Sequence, residues 1–148
     1  MGLLTEAHAG LTCRLAAQLH EHGVGLVEFE LLLRLARSPG GELRMSDLAA
    51  QSGLSTSGIT RAVDRLQRED LVQRRACPSD RRSLFAVITE TGQDRLATVL
   101  PGHLELIERW FTGLLTETQL GQVLTGLRLV RDATRPDATA LNRDQAGC

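Results

Sequence analysis

The sequence predicts a mainly α chain with the element order α-α-α-α-β-β-α-α. Three observations carry this reading. Apolar residues recur at helical spacing along most of the 148 residues, which marks helices with one inward stripe each. Two short helical stretches meet at a tight turn, Gly53-Leu54-Ser55. The period changes only between Leu71 and Ile88, where two short apolar-rich runs flank a polar loop and read as a β-hairpin.

In chain order, Leu4, Ala7, Leu11, Leu15 and Leu19 stripe a first helix over residues 3–22, broken by Gly23 and Gly25. A second helix spans about 27–37, with Leu31, Leu32, Leu35 and Ala36 inward, and Ser38-Pro39-Gly40-Gly41 stops it. Ser46 can cap a short third helix over 47–52, with Gly53 as its left-handed exit. Ser55 caps a fourth over 56–68, and the third and fourth together form a helix-turn-helix. Strands over 71–75 and 84–88 enclose an Arg-rich loop over 76–83. A helix-turn-helix followed by such a hairpin is a winged helix-turn-helix.

Beyond Thr89, Leu96, Val99, Leu100, His103, Leu104, Ile107 and Phe111 form one stripe, and Pro101-Gly102 in its middle predicts a kink or break. Thr116-Glu117-Thr118-Gln119 fits a capping box that opens a last helix with Leu120, Val123, Leu124, Leu127 and Val130 inward. Residues 136–148 are polar and aperiodic and are expected to fray. The chain reads as a single domain over 1–148, with a winged core at about 27–90 and long striped helices at about 3–22 and 90–135. One winged helix cannot cover all those stripes. Burial of the N- and C-terminal helices against a second copy, as a dimerisation region, accounts for the excess.

Composition excludes several classes. No apolar run approaches the roughly 18–20 residues of a membrane span, and the first ten residues lack a basic start, so a cytoplasmic protein is expected. Cys13, Cys77 and Cys148 are odd in number and widely spaced, which indicates neither a disulfide framework nor a zinc site. With one Trp, three Phe and no Tyr, the aromatics are too few for a single-strand stacking platform. No Ser-His-acid pattern, P-loop, Rossmann glycine pattern or metal-ligand spacing appears, so no enzyme, metal or cofactor is expected.

The net charge is −1, but it is unevenly spread. Residues 54–82 hold seven Arg and four acids, net +3, and all 17 basic residues of the chain are Arg. A near-neutral protein with positive charge gathered on a winged segment has the footprint of local duplex DNA binding. On the fourth helix Ile59, Ala62, Val63 and Leu66 share the core face. Ser57, Thr60, Arg61, Asp64, Arg65 and Arg68 occupy the other. Ser55, Thr56, Ser57 and Thr60 near the helix start can hold phosphates. Arg61 and Arg65, one turn apart, can reach guanine edges in the major groove. Arg74, Arg75, Arg81 and Arg82 charge the hairpin, where an extended Arg suits a narrow minor groove, and Asp80 can orient Arg82.

The stretch Asp80-Arg81-Arg82-Ser83-Leu84-Phe85-Ala86-Val87-Ile88-Thr89-Glu90-Thr91-Gly92 resembles the wing signature of the multiple-antibiotic-resistance regulator (MarR) family: D-x-R, a strand, then T-x-x-G. Residues 60–74 resemble that family's recognition helix and first wing strand. The resemblance implies a homodimeric regulator of palindromic operators, responsive to a small ligand or oxidant. It also implies that Arg82 is the minor-groove arginine, Asp80 its partner, and Arg61 and Arg65 the recognition-helix contacts. The sequence departs from the family at three places: Asp70 replaces a glycine before Leu71-Val72, Cys77 precedes Pro78 in place of an acid, and Pro101-Gly102 falls in a usually continuous helix.

The signal is less legible than the DNA face. The resemblance implies an effector site between the winged core and the terminal helices, and the candidate residues near there are Arg14, His20, His22 and His103, an Arg being suited to a carboxylate. His20 and His22 point apart on a helix, which disfavours a metal site with Cys13 and His103. A thiol switch using Cys77 or Cys13 is an alternative reading: Cys77 lies in an arginine field that favours the thiolate, whereas Cys13 lies in the first helix, where by the same resemblance oxidant-sensing members carry their reactive cysteine, but its neighbours Leu11, Leu15 and Ala16 suggest a buried, inert thiol. A winged protein-interaction module without specific DNA binding is the other alternative.

Overall fold

The computed structural model describes residues 1–77 and 83–139. The fold is mainly helical with a small three-stranded sheet. The elements are α1 (Gly2–Glu21), α2 (Leu26–Arg37), β1 (Glu42–Arg44), α3 (Met45–Ser52), α4 (Thr56–Arg68), β2 (Val72–Ala76), β3 (Leu84–Ile88), α5 (Glu90–Trp110) and α6 (Glu117–Thr134), with 3₁₀ turns at Pro39–Gly41, Thr112–Leu114 and Pro136–Thr139. The expected order is correct apart from β1, which sequence periodicity misses. That strand is three residues long and exists because β3 offers a free edge: Leu43 pairs with Ala86 in an antiparallel sheet ordered β1-β3-β2. Burial of Leu43 fixes the register.

The winged core closes around Leu31, Leu32 and Leu35 of α2, Leu48 of α3, Ile59, Ala62, Val63 and Leu66 of α4, and Val72, Ala86 and Ile88 of the hairpin. Every position expected inward on α4 is buried. A second cluster, Leu19, Val24, Phe29, Leu96 and Val99, joins α1 and α5 to the opposite side of α2. Thus α2 is the shared wall between the winged core and the long helices.

Backbone chemistry fixes the ends. Ser55 accepts from the Gly58 N–H at 3.1 Å, and Thr116 and Gln119 form the capping box, both as expected. Ser46 does not cap α3: the helix begins directly out of β1 with extended Arg44 as its first flanking residue, and the Ser46 hydroxyl turns to Asp47. After α4, the Leu71 N–H bonds to the Leu66 carbonyl at 2.9 Å and that of Asp70 to Gln67 at 3.1 Å, a Schellman closure. Asp70 sits at φ 57°, the one non-glycine residue with positive φ among the described residues. The turn therefore keeps the left-handed shape that a glycine would give, at a strain cost.

Two expectations for the long helices are corrected. Pro101 does not break α5, which runs unbroken from Glu90 to Trp110. Leu96, Val99 and His103 on either side of it are all buried, so packing holds both halves at the expense of one ladder hydrogen bond. The stripe on α6 is not inward within the protomer: no residue of α6 is buried, Leu127 is 41% exposed and Val130 57%. The end of α6 nevertheless touches the winged core. The Arg135 guanidinium lies over Gly53, with Nη2 3.5 Å from the Ala50 carbonyl and 3.4 Å from that of Gln51.

Candidate nucleic-acid interface

Three junctions position the exposed face of α4. The first is its cap. The Ser55 hydroxyl serves the Gly58 N–H and lies 3.2 Å from the Ser57 hydroxyl, and Thr60 donates to the Thr56 carbonyl at 2.8 Å. All four expected phosphate residues, Ser55, Thr56, Ser57 and Thr60, are exposed.

The second junction bolts the hairpin to α4. Arg74 Nη1 donates to Asp64 Oδ1 at 2.6 Å and to Gln67 Oε1 at 2.9 Å, and Nη2 to the Thr60 carbonyl at 3.2 Å. Arg74 therefore lies along α4 as a strut. Arg75 pairs with Glu42 of β1, and its guanidinium and that of Arg44 lie 5.4 and 5.6 Å from the Phe85 ring centroid.

The third junction is the hairpin with α5. Thr89 donates its hydroxyl to the Asp70 carbonyl at 2.6 Å and its N–H to the Leu71 carbonyl at 3.1 Å. The same hydroxyl accepts from the Gly92 N–H at 3.0 Å. A Cβ on Gly92 would stand 2.1 Å from the Leu71 oxygen. The T-x-x-G segment is thus the corner that fixes the hairpin against α5.

Among the described residues, Arg61 is exposed and carries no ion pair, whereas Arg65 is held by Glu28 of α2. Sequence counting over 54–82 omits Glu28 and Glu42, which the fold brings from outside that segment to meet two of its arginines. Neither acid had a local signal, because Glu28 and Arg65 are 37 residues apart. Asp80, Arg81 and Arg82 lie outside the described residues.

The candidate effector residues do not converge. Arg14 stacks on Trp110, 4.4 Å from its centroid, beside a cleft of about 270 Å³. His20 and His22 are exposed at the end of α1. His103 is buried, with its ring centroid 4.4 Å from that of Phe29, and burial pushes its pKa below the ordinary 6.5. The sequence missed a recess of about 400 Å³ between α2, β3 and α5, lined by Ala36, Gly41, Ile88, Gln93, Leu96 and Leu100. The cysteines reverse expectation. Cys13 is exposed on α1 because it lies two residues from Leu11 and from Leu15, on the far side of the helix from that half-buried stripe. Cys77 is buried at the end of β2, with its N–H bonded to the Ser83 carbonyl, and its sulfur is held in a disulfide, which corrects the expectation of none and leaves no free sensing thiolate there. Among the described residues no helix is long and apolar enough to cross a membrane.

Known proteins match this architecture. The MarR family profile fits residues 22–83. AbsC of Streptomyces coelicolor, a MarR family transcriptional regulator, is 34% identical, with 90% of each chain covered and a TM-score of 0.87. This chain belongs to the MarR family. A second MarR regulator from that organism, Sco3205, whose structure contains DNA, is 33% identical over 93% of this chain and 87% of its own, with a TM-score of 0.86. The HTH-type transcriptional regulator MhqR of Bacillus subtilis (strain 168) is 30% identical over 115 residues, 78% of each chain. The MarR relationship makes the chain a transcriptional regulator, and the matched relatives are regulators rather than enzymes.

Proposed function

We propose that two copies of this MarR chain form a homodimer that binds palindromic duplex operators in the cytoplasm, acts as a repressor, and is released by a small effector. The observation that carries the reading is the exposed face of α4. Arg61 is presented there without an ion pair among the described residues, on a helix whose other face is locked into the core. Sco3205, of the same fold, is known in complex with DNA. The exposed apolar residues at the start of α1 and along α6, Leu3, Leu4, Leu127 and Val130 among them, support the dimer, since exposed apolar surface gathered on one region marks an interface. Two recognition helices would then enter major grooves about one helical turn apart. The recess beside Gln93 supports an effector that is largely apolar, because Gln93 supplies its one polar lining side chain and about 300–1,000 Å³ is the range of small-molecule sites.

Fluorescence anisotropy on the duplex upstream of its own coding sequence, through a salt series, tests the reading. Tight binding whose logarithm falls with log salt by about 0.9 per phosphate contact is expected, with most of it lost in Arg61→Ala. Weak, sequence-blind binding to that duplex and to duplexes selected from random DNA would leave a protein-interaction module instead.

A further inference from the structure

Arg65 is gripped along one edge of its guanidinium. Its Nε donates to Glu28 Oε1 at 2.6 Å, and its Nη2 lies 2.5 Å from the same oxygen. Glu28 rides on α2, whose Phe29, Leu31, Leu32 and Leu35 are all buried. Its side chain is 16% exposed, against 46% for Arg65. The carboxylate folds back over the start of its own helix: a Cβ on Gly25 would stand 2.2 Å from Oε2. Gly25 thus leaves the space that the carboxylate fills, and any side chain there would push it away from Arg65. Among the described residues, Nη1 of Arg65 makes no hydrogen bond. A guanidinium restrained along its Nε–Nη2 edge still offers its Nη1–Nη2 end, and two donors in one plane are what the O6 and N7 atoms of guanine accept. Holding the fork before DNA arrives lowers the ordering cost of binding.

We propose that Glu28 is a positioning residue for base recognition, aiming Arg65 at one guanine of each half-site without touching DNA. This rests on the reading of α4 as the recognition helix. The test is selection from random duplexes with wild type, Glu28→Gln, Gly25→Ala, Arg65→Ala and the Glu28→Gln/Arg65→Ala double variant. Titrations then compare the selected duplex with its guanine-to-adenine change, and thermal melts confirm folding. Wild type is expected to prefer guanine at one position by roughly 5- to 150-fold, the range of a bidentate Arg contact. Glu28→Gln removes most of that preference while binding to unrelated duplex is unchanged or tighter. Gly25→Ala does the same with the charge intact, and Glu28→Gln changes no preference once Arg65 is gone. The proposal is overturned if Glu28→Gln keeps the guanine preference, or if it tightens operator binding with preference intact, which would make Glu28 a brake. It is also overturned if Glu28→Gln alters preference equally in the Arg65→Ala background. If wild type itself selects no sequence, the DNA reading fails first and is identified by that result alone.

Discussion

Replacing Gly92 with alanine separates two opposite effects of one methyl group. Gly92 is buried in the first turn of α5. In an ordinary helix, glycine to alanine stabilises by about 1 kcal/mol. Here the new Cβ would stand 2.1 Å from the Leu71 carbonyl oxygen and 2.9 Å from Ile88 Cγ1, so the start of α5 must retreat from the hairpin by about 1 Å. That movement strains three hydrogen bonds at one corner: Thr89 N–H to Leu71, Thr89 hydroxyl to Asp70, and Gly92 N–H to Thr89. At about 1 kcal/mol net for each, the loss is roughly 3 kcal/mol. Overpacking of Leu71 and Ile88 adds about 1–3 kcal/mol. After the helix-propensity gain, a destabilisation of about 3–5 kcal/mol is expected. Urea unfolding at fixed protein concentration measures it as a fall in midpoint with little change in slope. An unchanged or raised midpoint would refute the account of this corner.

Further outcomes are expected. Asp70→Gly relieves a left-handed strain of about 1–2 kcal/mol against a glycine entropy cost of about 0.5–1 kcal/mol; urea unfolding should show a modest stabilisation, and a drop in midpoint would contradict it. Arg61→Ala should leave melting within about 0.5 kcal/mol while costing about 1–3 kcal/mol of DNA affinity. Arg74→Ala should cost about 1–2 kcal/mol of stability, because it strips partners from Asp64 and Gln67, and a reversed pattern in melts and anisotropy would exchange the two roles. Burial holds the folded His103 pKa below 6.5, so the unfolded chain binds the proton first: stability should be level above about pH 6.5 and fall below it. His103→Leu should flatten that descent in urea midpoints taken between about pH 8 and pH 5.5, and an equal descent in both proteins would assign it elsewhere. Leu127→Glu should yield monomers in sedimentation and weaken operator binding, whereas an unchanged dimer would place the interface off α6.

What was legible in the sequence was local. The α4 stripe, the Ser55 and Thr116 caps and the Gly53 exit depend on neighbours within a few residues, and each appears where the pattern put it. What was not legible depends on partners distant in sequence. β1 exists only because β3 has an unpaired edge. Pro101 stays helical because of residues packed against α5 from α1 and α2. Ser46 is a good capping residue, but α3 begins at Met45, two residues too early for it to act. The candidate site divides the same way. Arg61 emerges as expected, while Arg65, Arg74 and Arg75 carry acid partners supplied by α2, α4 and β1, and a charge count along the chain cannot anticipate the first and third of these.

The Arg74 strut has a mechanical corollary. With Arg74 clamped to Asp64, Gln67 and the Thr60 carbonyl, and with Thr89 pinning the far end of the hairpin, hairpin and helix cannot pivot independently. In the proposed dimer each copy would carry α4 and the hairpin as a stiff caliper whose jaws are set at folding. Any tolerance for wider or narrower spacing between the proposed operator halves would then come from hinges outside the caliper, in the long helices that carry it.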